Sequence, residues 1–307
     1  MLIKILRPFT LLLILISLAA CSETASSGSK KLMILATTGM IGDMVTNLAG
    51  DYVEVKTMMG PGVDPHLYKA SQGDMELISN ADIIVYNGLH LEGKLVDIFE
   101  KTGKSKPTIA LGEFLPTENI LKSENSGEAP DPHIWMNPKL WKIASKGLGD
   151  TLSSLMKDHS NEILASEKVF SEKLDKLDSE VDSLISLIEP ETRVLITSHD
   201  AFRYFGNEFK MEVKGLQGIS TVSEYGLRDV KNMVDLIISR KIKAVFVESS
   251  VSSKSLESVV QGCRDQGHEV KIGATLYSDS MGEKGTPNGT YFGMIRHNAQ
   301  SISNALK

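Results

Sequence analysis

The chain has 307 residues, of which 41% are hydrophobic and 23% charged, and its formal net charge is −6. This length and composition are typical of a globular protein with about two domains, each able to bury a core. The negative charge and the lack of a basic cluster exclude nucleic acid as a partner, and two cysteines exclude a disulfide framework.

The first 20 residues have the pattern of a secretory signal peptide. Two basic residues precede an apolar run from Phe9 to Leu18, which is too short for a comfortable membrane span. Small residues before Cys21 are similar to a bacterial lipobox and predict lipidation of Cys21. The alternative is an ordinary cleaved signal followed by a chance cysteine. Residues 21–30 are polar and predict a flexible tether, so we expect an exported protein held by lipid at the periplasmic or outer face of a bacterial membrane.

Short apolar runs alternate with amphipathic stretches between residues 31 and 160. A parallel sheet with crossover helices is the expected result, so we assign 31–160 to an N-terminal α/β lobe. Ser71 with Asp74 three residues later predicts a helix start with a capping box. The predicted strands are Lys31–Thr38, Tyr52–Met58, Ala81–Tyr86 and Pro107–Leu111.

The longest periodic stretch covers residues 161–189, where apolar side chains recur at spacings of mostly three and four. It predicts one helix of roughly 40 Å, which we interpret as a rigid interdomain helix. A coiled-coil seam is the alternative. The strand and helix pattern then restarts, so residues 190–307 are assigned to a C-terminal α/β lobe. The predicted fold class is therefore α/β, with two lobes that each contain a central parallel sheet flanked by helices. The predicted strands of the second lobe are Arg193–Thr197, Ala244–Val247 and Glu269–Ile272.

Four residues form the candidate metal site. The tripeptide Asp-Pro-His occurs twice, ending at His66 and at His133, and its proline restricts the backbone on both sides. His199 directly follows a predicted buried strand, and Asp279 follows the last predicted strand. Ligands of open α/β sheets bind outside the carboxyl ends of the strands. Three imidazoles and one carboxylate suit a divalent first-row metal ion.

The other histidines are weaker candidates. His159 lies near a predicted helix end and is expected to be solvated, His268 lies in a turn and is expected to be an ordinary residue outside the site, and His297 is expected to be structural. His90, which follows the strand ending at Tyr86, is harder to dismiss as a ligand.

Carboxylates are expected to orient the ligand imidazoles, because a metal-bound histidine usually donates its other N–H to such a group. The candidates are Asp64, Asp131, Asp200 and Glu248, with turn and cap roles as the alternative.

Several longer motifs resemble one known family. The chain is similar to the metal-binding lipoproteins of manganese or zinc ABC importers, the TroA-like family (cluster A-I), over nearly the whole mature chain. The resemblance implies two α/β domains joined by a rigid helix, with one metal ion in the cleft. It also implies delivery to a membrane permease with its cytoplasmic ATPase, and we expect a monomer. The family's ligand positions match His66, His133, His199 and Asp279. The motifs are GVDPHLY, DPHIWMNP, SHDAFRYFG, EVKGLQGIST, FVESS, YSDSMG and GTYFGMIRHN.

The identity of the metal ion, Zn²⁺ or Mn²⁺, stays open at this point. Many zinc-dedicated members of the family have a histidine-rich loop before the second ligand, and residues 118–130 contain no histidine. Many manganese-dedicated members have glutamate where this chain has His199. Zn²⁺ should bind more tightly by the Irving–Williams order, whereas a bidentate Asp279 would favour Mn²⁺.

Two other functions are alternatives to metal transport. A zinc-dependent hydrolase would need an open coordination position and a general base, and the sequence has no His-Glu-x-x-His or Gly-x-Ser-x-Gly motif. A surface adhesin with a structural metal would be supported by repeats or disulfide-stapled modules, which the sequence does not contain. We therefore expect a metal carrier and not an enzyme.

Overall fold

The computed structural model describes residues 31–123, 129–223 and 225–307. The predicted signal peptide, the lipidation of Cys21 and the tether at 21–30 lie outside the described residues. Part of the loop at 118–130 also lies outside them.

The first sheet has four parallel strands in the order β2-β1-β3-β4. Its register places Ile34 opposite Val55 on one side and Ile83 on the other, and the central positions are buried on both faces, as their continuous apolar runs predict. The strands are β1 (Leu32–Ala36), β2 (Val53–Thr57), β3 (Ile83–Tyr86) and β4 (Thr108–Ala110).

The second half of the chain contains two parallel strand pairs, β5 with β6 and β7 with β8. A bridge between Thr197 and Phe246 sets the two pairs side by side, and a bridge between Glu248 and Leu276 extends the second pair. The strands are β5 (Val194–His199), β6 (Glu212–Gln217), β7 (Ala244–Val245) and β8 (Lys271–Ile272).

Helices follow most of the strands. The predicted capping box is confirmed, because Asp74 Oδ2 accepts a hydrogen bond from the Ser71 backbone and Ser71 Oγ accepts one from the Asp74 backbone. The helices are α1 (Gly39–Ala49), α2 (Gln72–Asn80), α3 (Val96–Thr102), α4 (Pro138–Leu155), α5 (Ser160–Ile185), α6 (Arg203–Phe209), α7 (Leu227–Arg240), α8 (Lys254–Asp265) and α9 (Tyr291–Leu306).

The long helix α5 has 26 residues and is therefore about 39 Å long. It ends at Ile185, slightly before the predicted end. One stripe of α5 is buried, and it packs against α1, α4 and the final helix α9. The largest hydrophobic cluster runs from Ile34 in β1 to Leu306 in α9, so helices from both ends of the chain share it. The lobe boundaries at 31–160, 161–189 and 190–307 stay a prediction.

Two elements, β6 and α6, were not predicted from the sequence. In β6 the apolar pattern is interrupted by Gly215, and a Cβ at this position would lie 2.4 Å from the backbone nitrogen of Asp200. The glycine therefore allows β6 to approach the end of β5, where His199 lies. Among the helices of the described residues, none has the length and apolar character needed to cross a membrane.

Candidate metal centre

The structure brings the four predicted ligand residues together. His66 lies in the turn after β2, His133 lies before α4, His199 is the last residue of β5, and Asp279 lies in the loop after β8. One ligand atom from each residue lies within 4.8 Å of all the others. All four residues are buried, and His66 has the largest exposed fraction, 6%.

The distances between neighbouring ligand atoms are close to those of a metal site. His66 Nε2 lies 3.3 Å from His133 Nε2, His133 Nε2 lies 3.4 Å from Asp279 Oδ1, and His199 Nε2 lies 3.1 Å from Asp279 Oδ2. Nitrogen and oxygen ligands at 2.0–2.2 Å from a tetrahedral ion are roughly 3.3–3.6 Å apart. The side chains could therefore hold one small cation without a large rearrangement.

Two of the three imidazoles contact a carboxylate on the side that faces away from the site. The Nδ1–H of His133 donates to Asp131 Oδ1 at 2.7 Å, and His199 Nδ1 lies 2.6 Å from Glu248 Oε2. Glu248 also accepts a hydrogen bond from the backbone N–H of His199. A proton on Nδ1 leaves the Nε2 lone pair of each ring directed toward the site.

Several buried polar atoms at the centre of the site have no hydrogen-bond partner among the described residues. They include both carboxylate oxygens of Asp279 and the Nε2 atom of His199. Buried polar groups are normally paired, because an unpaired one costs free energy. A divalent cation would satisfy these atoms together, and the set of three nitrogens and one carboxylate suits Zn²⁺ or Mn²⁺.

Comparisons with known proteins agree with this chemistry. Residues 34–305 match the family described as zinc-uptake complex component A, periplasmic, or ZnuA. The chain belongs to the ZnuA family. It is 47% identical over 293 residues to the manganese-binding lipoprotein MntA of Bacillus subtilis (strain 168), which covers 95% of each chain. It is 32% identical over 310 residues to the manganese ABC transporter substrate-binding lipoprotein PsaA of Streptococcus mitis, which covers 97% of each chain.

The fold is similar to that of solved structures. The periplasmic zinc-binding protein TroA from Treponema pallidum matches with a TM-score of 0.87 and 42% identity, over 90% of this chain and 99% of that one. The predicted α/β class and the resemblance to metal-binding lipoproteins are thereby confirmed. Membership in the ZnuA family, an uptake component, also confirms that the chain is not an enzyme. The comparisons give no support to a hydrolase or an adhesin.

In this ZnuA-family chain, the ring of His66 is held less firmly than the other two ligand imidazoles. Among the described residues, none is hydrogen-bonded to its Nδ1 atom. Burial lowers the pKa of His66 to about 3, and Asp279 opposes this effect only in part. His66 is therefore neutral at physiological pH and can ligate a cation without losing a proton.

The other two imidazoles have the opposite electrostatic character. Burial lowers the pKa of His133, but Asp131 and Asp279 outweigh it and raise that pKa to about 9. Burial is likewise outweighed at His199, where Glu248 and Asp279 hold the pKa well above its usual value. Burial would raise the pKa of Asp279, yet the two imidazoles keep it well below its usual range. A metal ion must therefore displace protons from the site.

The remaining two predicted carboxylates do not contact an imidazole. Asp64 Oδ1 accepts a hydrogen bond from the backbone N–H of His66 at 2.8 Å, and its Oδ2 accepts one from Thr221 Oγ1 at 2.6 Å. Asp64 thus holds the backbone of His66 and not its ring. Asp200 Oδ2 lies 3.7 Å from the Nε atom of Arg203. The turn and cap roles that were the alternative therefore fit these two residues better than orientation of a ligand ring.

Sequence reasoning missed the side chains that hold the segment before His133. Asn87, at the carboxyl end of β3, donates through Nδ2 to the carbonyl oxygen of Pro132 at 2.9 Å. Tyr204 donates through its hydroxyl to the carbonyl oxygen of Asp131, also at 2.9 Å. The position of Asn87 after a parallel strand is a signal that could have revealed it. Tyr204 has no comparable signal.

Two buried aromatic side chains fix the segment that follows His133. Trp135 donates through Nε1 to the carbonyl oxygen of Ser278 at 2.8 Å, and Tyr291 donates through its hydroxyl to the carbonyl oxygen of Trp135 at 2.8 Å. Buried Trp and Tyr usually find such partners. The side chain of Trp135, two residues after His133, is therefore bonded to the backbone beside Asp279.

The other histidines lie outside the group of four. His90 is exposed and has a positive φ of 66°. His159, which was expected to be solvated, stacks on Tyr52 with ring centroids 4.1 Å apart. The rings of His268 and His297 each contact a backbone carbonyl oxygen, so both have structural roles.

Proposed function

We propose that this protein captures one divalent transition metal ion, Zn²⁺ or Mn²⁺, with His66, His133, His199 and Asp279 and delivers it to an ABC importer. The observation that carries this proposal is the meeting of four buried ligand atoms within 4.8 Å. The carboxylate oxygens of Asp279 and the Nε2 atom of His199 have no hydrogen-bond partner among the described residues, and a divalent cation would bind these atoms together.

The carboxylate of Asp279 supports a site that accepts both metals. With one oxygen bound, the set has four ligand atoms and suits tetrahedral Zn²⁺. Both oxygens face imidazoles and lack other partners among the described residues, so bidentate binding would give five ligand atoms and favour Mn²⁺. By the Irving–Williams order, the site still has a higher affinity for Zn²⁺ than for Mn²⁺. The supply of each metal in the native compartment therefore decides which ion the protein carries.

The place and partners of the protein follow from the same proposal. The signal-like residues 1–20 and the cysteine at position 21 support export and lipid anchoring through Cys21. The relatives MntA and PsaA are named lipoproteins, and PsaA is named a substrate-binding lipoprotein of a manganese ABC transporter. We infer that a membrane permease with its cytoplasmic ATPase receives the ion from a monomeric carrier at the outer face of the membrane.

Elemental analysis tests the proposal most directly. Protein purified from its own host without chelators should contain about one zinc or manganese ion per chain. His133→Ala should abolish stoichiometric metal, whereas His268→Ala, which changes a histidine outside the site, should retain it. Wild-type protein without stoichiometric metal, or a His133→Ala variant with a full complement, would refute the proposal.

A further inference from the structure

The three imidazoles of the site differ in how they are held. His133 and His199 each contact a buried carboxylate at 2.6–2.7 Å. His66 has no such partner among the described residues, and its position depends on the loop that carries it. We name residues 60–66 the His66 loop.

Two hydrogen bonds connect the His66 loop to loops from the second half of the chain. Thr221, which follows β6, donates through Oγ1 to Asp64 Oδ2 at 2.6 Å. The backbone N–H of Gly62 donates to Ser280 Oγ at 3.0 Å, and that hydroxyl lies 3.2 Å from Ser249 Oγ. Because the same Asp64 side chain also accepts the backbone N–H of His66, Thr221 is coupled to the ligand through one carboxylate.

We propose that Thr221 is a positioning residue for the metal site. Its hydroxyl holds Asp64, and through Asp64 the backbone of His66, so that the imidazole stays over the ion and metal release is slowed. This inference rests on the proposed function, since it concerns the lifetime of the bound metal.

The structure indicates why this contact controls release and not the formation of the site. Loss of the Thr221–Asp64 bond leaves His133, His199 and Asp279 in place, because other buried groups hold them. Only the His66 loop gains freedom. Gly62, at a φ of 73°, provides a position that can change conformation at low cost. Detachment of one ligand is then the first step of release.

The expected size of the effect follows from the type of bond. A hydrogen bond to a charged group contributes more than a neutral one, but Asp64 and Thr221 are only half-buried, so water can partly replace the lost donor. We expect Thr221→Val to lose metal about threefold to tenfold faster than wild type.

Three variants make the test specific. Thr221→Val removes the hydroxyl while keeping the shape, and Thr221→Ser restores it. Thr102→Val is the matched control, because the Thr102 hydroxyl donates at 2.7 Å to a carbonyl of its own helix. Each protein is loaded with Zn²⁺ and mixed with excess chelator in a stopped-flow instrument. The Thr221→Ser and Thr102→Val rates should stay within about twofold of wild type.

Hydrogen exchange separates local positioning from general destabilisation. In Thr221→Val, amides of the peptide covering residues 62–68 should exchange faster, while those of β1 and β5 keep wild-type protection. An unchanged release rate in Thr221→Val, or a uniform loss of protection, overturns the role of Thr221. Failure of the wild-type protein to bind metal would instead refute the proposed function. The two failures are distinguishable, because the release rates of all variants are compared at equal metal loading.

Discussion

The two Asp-Pro-His tripeptides have the same sequence but different surroundings. In each, the aspartate Oδ1 accepts the backbone N–H of the histidine two residues later, at 2.8 Å for His66 and 3.1 Å for His133. Only Asp131 also reaches the Nδ1 atom of its histidine. Asp64 instead bonds Thr221. The local turn is thus set by the tripeptide, whereas tertiary packing decides whether the carboxylate supports the ring or the loop.

The largest effect on metal binding is expected from removal of His133, whose ring contacts the aspartate of its own tripeptide. His133→Ala should weaken metal binding by more than about 100-fold, because removal of outer partners alone costs 10–100-fold. Competition titration with a metal-sensitive chelator measures the affinity. His268→Ala serves as the control and should keep wild-type affinity.

The pH dependence of the metal affinity should reveal the protons held by the imidazoles that contact a carboxylate. Because the pKa of His133 is raised to about 9, the ring is protonated below that pH and must lose its proton when metal binds. Affinity should therefore fall as the pH decreases from 9 to 6, by at least about tenfold per unit. This onset is higher than the ordinary histidine pKa of about 6.5. An affinity that is flat between pH 9 and 7 would contradict it.

Matched amide substitutions compare the two aspartates directly. Asp131→Asn should weaken metal binding by about 10–100-fold, because Asp131 contacts a ligand ring. Asp64→Asn should cost less than about tenfold, because Asp64 contacts only the backbone and Thr221. Equal losses in isothermal titration would show that the two tripeptides play the same role.

The smallest effect on metal is expected at Tyr204. Tyr204→Phe removes the donor to Asp131 and the acceptor of the Leu121 N–H. The free energy of unfolding should fall by about 1–3 kcal/mol, because a buried carbonyl and an amide lose their partner. Metal affinity should change by less than about tenfold, since the contact between Asp131 and the His133 ring remains. Chemical denaturation and titration measure the two quantities on the same sample.

Much of the fold could be predicted because it depends on local patterns. Apolar runs separated by amphipathic stretches indicated the parallel strands, and Ser71 with Asp74 marked a helix start that the structure confirms. The strand β6 was missed because Gly215 interrupts its apolar pattern. That glycine is required by the close approach to the backbone of Asp200, a contact that only the folded structure contains.

The candidate site could be predicted only to the level of its ligands. The strand-end positions of His199 and Asp279 and the proline-restricted histidines gave direct signals. The hydrogen bond between Thr221 and Asp64 had no signal in the sequence, since 157 residues separate them and both types of residue are common on surfaces. The sequence left open whether Asp64 orients a ring or has a turn role, and packing gave its carboxylate Thr221 as a partner.

The wide separation of the ligands along the chain has a consequence for when metal is acquired. The first lies at residue 66 and the last at residue 279, each on a different segment. An unfolded or nascent polypeptide therefore has no preformed centre, and ion capture must follow completion of the tertiary structure. The compartment in which folding is completed, and not the one in which translation occurs, supplies the first ion that the molecule carries.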